Sequence, residues 1–193
     1  MRELRETILR QGQCVGDSIV KVDMFLNHRL DTRLMFAMGR ELADYFGKDK
    51  PDIVLTVEAS GIALALAAAH FLDDIPVVFA KKSPAANQSA GMLTAVAHSF
   101  THGNDNALRV DRRYLPAGSR VLVVDDFLAD GEASRALISI VEQADCTLVG
   151  VGIAVEKGFQ PGGRKLREAG VNLKSLAIVT SIQDGRIQLA DDD

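Results

Sequence analysis

The run Val121-Leu122-Val123-Val124 is an unbroken block of β-formers, the pattern of a strand buried on both faces, and it ends in two adjacent carboxylates, Asp125 and Asp126. Gly131 then marks a turn, and Ala133, Leu137, Ile140, Val141 and Ala144 recur at helical spacing. Upstream, Leu4, Ile8 and Leu9 among charges predict an amphipathic helix, and Gly12 and Gly16 bracket a break. The stretch 19–26 is short and apolar, and its pattern fits either a strand or a turn. Asp31 is placed to cap a helix carrying Leu34, Met35, Met38, Leu42 and Phe46, which Gly47 and Pro51 bring to an end.

Further along, 53–57 predicts a strand, 61–72 a helix of small residues, and 76–80 the next strand. Residues 81–88 have loop composition. The segments 92–100 and 107–110 predict two strands of a hairpin or flap around His102-Gly103-Asn104-Asp105. Residues 147–155 predict another strand, running into Glu156-Lys157, with a turn over 158–163, a short helix and one or two edge strands after it.

Strand–helix–strand alternation through 53–155 predicts an α/β fold with a doubly wound, mainly parallel sheet and helices on both faces. In such sheets ligands bind beyond the carboxyl ends of the strands. Four strand ends then bring polar groups to one rim: Glu58-Ala59-Ser60-Gly61, Lys81-Lys82, Asp125-Asp126 and Glu156-Lys157. The N–H groups at the start of the helix after Gly131 form an anion seat. Paired acids beside an anion seat suit a phosphorylated, hydroxyl-bearing sugar associated with Mg²⁺.

Composition narrows the classes. A chain of 193 residues, 47% hydrophobic, is long enough for one domain with a full core. A net charge of −4 and the lack of a basic block argue against a nucleic-acid partner. The apolar run 62–69 is too short to span a membrane, and the acidic residues Glu3 and Glu6 do not fit a signal peptide. Cys14 and Cys146 stand far apart in no motif, which points away from a disulfide framework and a cysteine zinc site and fits a reducing cytoplasm. The histidines occur singly, without metal-ligand spacing. No G-x-x-x-x-G-K motif is present, and Val155 stands where a Rossmann fingerprint beginning at Gly150 needs a third Gly or Ala. The tail Asp191-Asp192-Asp193 reads as a solvated end.

The hydrophobic strand, acid pair and small loop before a helix resemble the type I phosphoribosyltransferases. Several separated segments carry the resemblance toward the bacterial xanthine phosphoribosyltransferases: Lys21-Val22-Asp23-Met24-Phe25-Leu26-Asn27-His28, Glu58-Ala59-Ser60-Gly61-Ile62-Ala63, Pro76-Val77-Val78-Phe79-Ala80, Leu93-Thr94-Ala95, Ser99-Phe100-Thr101 and Glu156-Lys157-Gly158-Phe159-Gln160-Pro161-Gly162. These fall in the family's order over nearly the whole chain. The resemblance implies a single phosphoribosyltransferase domain over 1–193, with a flap and a small hood from about 1–30 and 157–193. It implies transfer of a phosphoribosyl group from 5-phosphoribosyl-1-pyrophosphate (PRPP) to xanthine with Mg²⁺, by a cytoplasmic homodimer serving purine salvage. A guanine or hypoxanthine enzyme, or a regulator that senses purine or PRPP without catalysis, are the competing readings.

The same resemblance assigns site residues. Asp125 and Asp126 would clamp the ribose hydroxyls, stabilise positive charge on the ring, and hold Mg²⁺ directly or through its waters. Ala129, Asp130, Gly131, Glu132 and Ala133 would cradle the 5′-phosphate through backbone N–H groups. Ser60, Gly61 and Lys81 would take the pyrophosphate, Lys81 being preferred to Lys82. Lys157 and Phe159 would meet the purine, Asn27 its 2-oxo side, and Val20 would form a wall where a Leu is usual. Phe159 also fits an ordinary core aromatic, and Asn27 a turn residue. The chain departs from the family's amide residues at 130 and 132, where it has acids. Those acids also read as a helix cap and a first-turn carboxylate, with side chains turned away from the phosphate. Leu93-Thr94-Ala95 and the loop before it resemble a mobile flap, and the loop 82–91 lacks the basic and hydroxyl residues expected there.

Overall fold

A computed structural model describes residues 1–16, 18–83, 91–98 and 105–191. Its centre is an eight-stranded sheet. The strands that carry the site are β3 (Ile53–Val57), β4 (Val77–Ser83), β7 (Arg120–Leu128), β8 (Thr147–Lys157) and β9 (Leu173–Gln183), and they run parallel in the order β9-β8-β7-β3-β4. Antiparallel strands complete both edges. Beside β9 lies β10 (Arg186–Leu189), and beyond β4 lies the hairpin of β6 (Asp105–Asp111) and β5 (Met92–His98). The predicted hairpin thus forms. The loop residues 84–90, the turn around His102, the Ser99-Phe100-Thr101 segment and Asp192-Asp193 lie outside the described residues.

Side-chain alternation on the buried strands divides the core into two layers. On β7, Leu122 and Val124 join the layer covered by α2 (Thr32–Phe46) and α3 (Gly61–His70). Val121 and Val123 join the opposite layer, covered by α4 (Glu132–Gln143) and by Leu166 of α5 (Gly162–Glu168). Asp31 caps α2 as its sequence position predicts, accepting from the Leu34 N–H at 3.1 Å.

The ambiguous stretch 19–26 resolves into both kinds of structure. β2 (Ile19–Lys21) pairs with β1 (Gln13–Val15), and a π-helical turn spans Asp23–Asn27. The N-terminal helix α1 (Arg2–Gln11) packs its Leu4 and Ile8 into the α2/α3 layer and contacts β9 and β10. β9 has eleven residues and is flanked on both sides, so it is an interior strand rather than the expected edge strand.

The sheet reverses its order of growth at β3. From β3 the chain passes through α3 to β4 on one side, and it later returns through β7 to the other. The carboxyl ends of β3 and β7 therefore frame a topological switch point, where open α/β sheets place their ligands.

Candidate active site

The site grows out of unequal pairing along β7. Its ladder with β3 stops at Leu55–Val123, while its ladder with β8 runs on to Leu128–Glu156. Asp125 and Asp126 therefore lie within the strand, not at its end as their run of hydrophobic predecessors predicts. The support from β8 carries the strand through them. On the flank that β3 vacates, the Glu58–Gly61 turn and the start of α3 fill the space.

Both acids are buried, and both are tied down. Asp126 accepts a 2.9 Å hydrogen bond at Oδ1 from the Ser60 hydroxyl and one of 3.3 Å at Oδ2 from the Asn27 amide. The backbone N–H of Asp126 donates to Asp125 Oδ1 at 2.9 Å. Burial, and then the negative charge of Asp126, push the Asp125 carboxyl well above its ordinary range, with the charge of Lys82 acting the other way. The pair is thus poised to gain from an incoming cation or from hydroxyl donors.

Around the pair, Gly61 leaves no room for a side chain. A Cβ there would stand 2.8 Å from Asp125 Oδ1 and closer still to the Thr56 hydroxyl, which is wholly buried. The Glu58–Ala59 peptide is cis, and Glu58 accepts the Lys82 N–H at 2.6 Å. Lys81 and Lys82 belong to β4 rather than to a loop, because β6 pairs with them. The charge of Lys82 bears on Asp125. Lys81 lies opposite Arg109 in the ladder.

Beyond β7, residues 129–131 turn into α4. Gly131 takes a φ of 84°, a left-handed conformation suited to glycine, and its N–H end opens the helix. Glu132 is paired with Arg135 one turn on, so its carboxylate is neutralised on the helix surface. The backbone of Gly162 closes against this turn, with its N–H donating to the Ala129 carbonyl at 3.0 Å. A Cβ on Gly131 would stand 3.1 Å from Gly162 Cα.

The end of β8 divides its two polar residues between different tasks. Glu156 is buried and takes a bidentate pair from Arg167 at 2.8 and 2.7 Å, with the Ser175 hydroxyl donating as well. Burial would raise its carboxyl, but the hydrogen bonds from Arg167 and Ser175 and the Arg167 charge outweigh burial and hold it below its ordinary value. Glu156 is therefore a structural anchor for α5 and not an open rim group. Lys157 is half-buried, with its ammonium 5.7 Å above the Phe127 ring. Phe159 is 37% exposed, which sets aside its reading as a core aromatic. Val20 is buried in the α2/α3 layer. The structure thus brings Asn27, Ser60, Gly61, Asp125 and Asp126 together directly. Residues 129–133 lie next along β7, with Lys157 beside them at the end of β8.

Residues 26–184 match the phosphoribosyl transferase domain. The chain belongs to the phosphoribosyltransferase family. It is 44% identical to a xanthine phosphoribosyltransferase of Clostridioides difficile over 97% of this chain and 99% of that one. It is 47% identical to one of Bifidobacterium animalis subsp. lactis over 94% of each. Its fold is shared with the adenine phosphoribosyltransferase of Rhodothermus marinus, at a TM-score of 0.73 and 22% identity, covering 93% of this chain and 100% of that one. The enzyme is a transferase with that fold.

Sequence reasoning missed Arg135, Arg167 and the Gly162 contact. Arg135 was readable, since it stands three residues after Glu132 on a predicted helix. Arg167 and Gly162 act across the fold, and no local spacing announces them.

Proposed function

We propose that this chain transfers the 5-phosphoribosyl group of PRPP to xanthine, giving xanthosine 5′-monophosphate and pyrophosphate in purine salvage. The observation that carries the reading is the buried pair Asp125–Asp126 at the switch point, beside the amide-lined turn 129–133. Near-full-length relatives named as xanthine phosphoribosyltransferases, at 44% and 47% identity, supply the base.

In the reaction the purine nitrogen forms a bond to C1′ as the C1′–oxygen bond to pyrophosphate breaks. The electron pair of the broken bond leaves on pyrophosphate, and the proton of the purine nitrogen is released to water. Positive charge grows on the ribose ring in between. Asp125 and Asp126 accept the 2′- and 3′-hydroxyls and set negative charge against that cation. The N–H groups of 129–133 hold the 5′-phosphate at the start of α4. Ser60 and Gly61 receive the pyrophosphate, with Lys81 near the end of β4 adding its charge. Lys157 donates to the purine oxygen, and Phe159 lies by the ring face. Asn27 reaches the 2-oxo side while braced on Asp126, and Val20 backs the wall from the core.

Two adjacent carboxylates fit Mg²⁺, which takes one or two protein carboxylates with substrate phosphates and waters. Among the described residues no third His, Cys, Asp or Glu joins them to form an all-protein site. Asp125 and Asp126 would hold the ion, which supplies neutralising charge to pyrophosphate. A homodimer is favoured by the exposed apolar side chains Phe36 and Leu66 on neighbouring helices. A cytoplasmic location is favoured by two free cysteines. Among the described residues no helix is long and apolar enough to cross a membrane.

The test is kcat/KM for xanthine, guanine, hypoxanthine and adenine with PRPP and Mg²⁺. Xanthine is expected to lead by at least about tenfold, equivalent to roughly 1.4 kcal/mol of transition-state binding. Faster use of guanine or hypoxanthine, or no turnover of any base, would overturn the proposal.

A further inference from the structure

We infer that the Ser60 hydroxyl is a positioning group for the ribose clamp and not a ligand of pyrophosphate: at the start of α3 it leaves its own helix uncapped and holds the Asp126 carboxylate. The inference deepens the proposed reaction and rests on it.

Ser60 stands where a serine ordinarily caps a helix, its side-chain oxygen accepting an N–H of the first turn. Its backbone is not arranged for that. A capping residue is typically extended, whereas Ser60 has φ −68° and ψ −32°, is already helical, and makes no side-chain cap. Asp31 shows the ordinary arrangement in the same molecule: with φ −81° and ψ 102° it is extended, and it caps α2 through the Leu34 N–H. The Ser60 hydroxyl donates instead to Asp126 Oδ1 at 2.9 Å, across 66 residues of sequence.

Asp126 is thereby held at both oxygens from two directions, by Ser60 at Oδ1 and by Asn27 at Oδ2. One donor on each oxygen fixes the carboxylate and leaves lone pairs for the ribose hydroxyls. A hydroxyl donating to an ionised carboxylate makes a strong, directional bond, so this contact sets where the negative charge stands. Gly61 lets the hydroxyl reach the acid pair, since a side chain on the next residue would run into Asp125 Oδ1 and the Thr56 hydroxyl. The first N–H groups of α3, with no side-chain cap over them, are left for the departing anion. Ser60 thus serves the two ends of the breaking bond with different groups. Its N–H faces the pyrophosphate, and its hydroxyl aims the acid that meets the ribose cation. Substitution at 60 removes the second function and leaves the first.

The experiment compares wild type with Ser60→Ala and Ser60→Thr, measuring kcat with xanthine and PRPP and, by calorimetry, the Kd of inorganic pyrophosphate with Mg²⁺. Pyrophosphate carries no ribose, so its binding reports the loop alone. Ser60→Ala is expected to lower kcat by about tenfold while the pyrophosphate Kd stays within about twofold of wild type. Ser60→Thr keeps a hydroxyl and should hold kcat within about threefold. In an Asp126→Ala background, adding Ser60→Ala should cost no more than about a further twofold, because the group it acts through is gone. An unchanged kcat in Ser60→Ala, a pyrophosphate Kd weakened about fivefold or more, or a full tenfold loss in the Asp126→Ala background would each overturn the inference. A wild-type enzyme that neither binds pyrophosphate nor transfers the phosphoribosyl group would instead remove the proposed reaction, and the positioning role with it.

Discussion

The Asn27 amide donates to Oδ2 of Asp126 across 3.3 Å, joining a turn near the N-terminus to an acid 99 residues away. The residue proposed to read the base is thereby braced on the residue proposed to hold the ribose. Asn27→Ala should weaken both contacts together, raising KM for xanthine and lowering kcat by about threefold to tenfold each. Steady-state kinetics check this, and a change in xanthine KM alone would show that the brace does not matter.

Replacing both central acids should separate activity from folding. Asp125→Asn with Asp126→Asn is expected to cut kcat/KM by at least about a thousandfold, since the charge facing the ribose cation is lost. The Asp125 substitution by itself should not lower stability. The Asp125 carboxyl lies above its ordinary value in the folded state, so ionised Asp125 works against the fold as pH rises past the unfolded-state pKa. At neutral pH the Asp125→Asn single variant should melt no lower than wild type by calorimetry.

Glu156 carries the opposite sign. Its folded-state pKa is depressed, so its stabilisation is complete above the unfolded-state value and fades as pH falls through the folded one. Glu156→Gln should cost about 2–3 kcal/mol at pH 7, because Arg167 loses a bidentate partner. Urea titrations across pH should show this gap closing in acid, and a gap that persists below both values would contradict the assignment.

Arg135 should matter to a substrate it does not touch. Arg135→Ala leaves the Glu132 carboxylate unneutralised beside the phosphate turn, and KM for PRPP should rise about threefold to tenfold. Adding Glu132→Gln should return KM toward the wild-type value. A double variant as impaired as Arg135→Ala would show that the charge of Glu132 is not the cause.

Gly61→Ala tests the crowding around Asp125. A methyl group 2.8 Å from its Oδ1, and closer still to the Thr56 hydroxyl, must displace Asp125, Thr56 or the start of α3. Turnover should fall by at least about a hundredfold, a displacement of an ångström being enough for that. Circular dichroism would show whether the fold survives.

Much of this was legible in the chain. The apolar run 121–124 announced a doubly buried strand, and Asp31 and Gly131 behaved as their residue types dictate. The site needed more than patterning. Asp125 and Asp126 read as strand-end residues because hydrophobicity stops at Val124, yet hydrogen bonding to β8 carries the strand on to Leu128. Lys81 and Lys82 read by composition as the start of a loop, and only the pairing with β6 makes them strand residues. Asn27 was reached through family resemblance, because a contact spanning 99 residues leaves no periodic trace.

The backbone apposition of Gly131 and Gly162 has a consequence for how the enzyme can be re-engineered or can diverge. Two loops that share one glycine-to-glycine seam constrain each other's side chains. Grafting a related enzyme's phosphate turn without the matching 158–163 segment would wedge a foreign side chain into that seam. Successful chimeras should therefore exchange both loops at once.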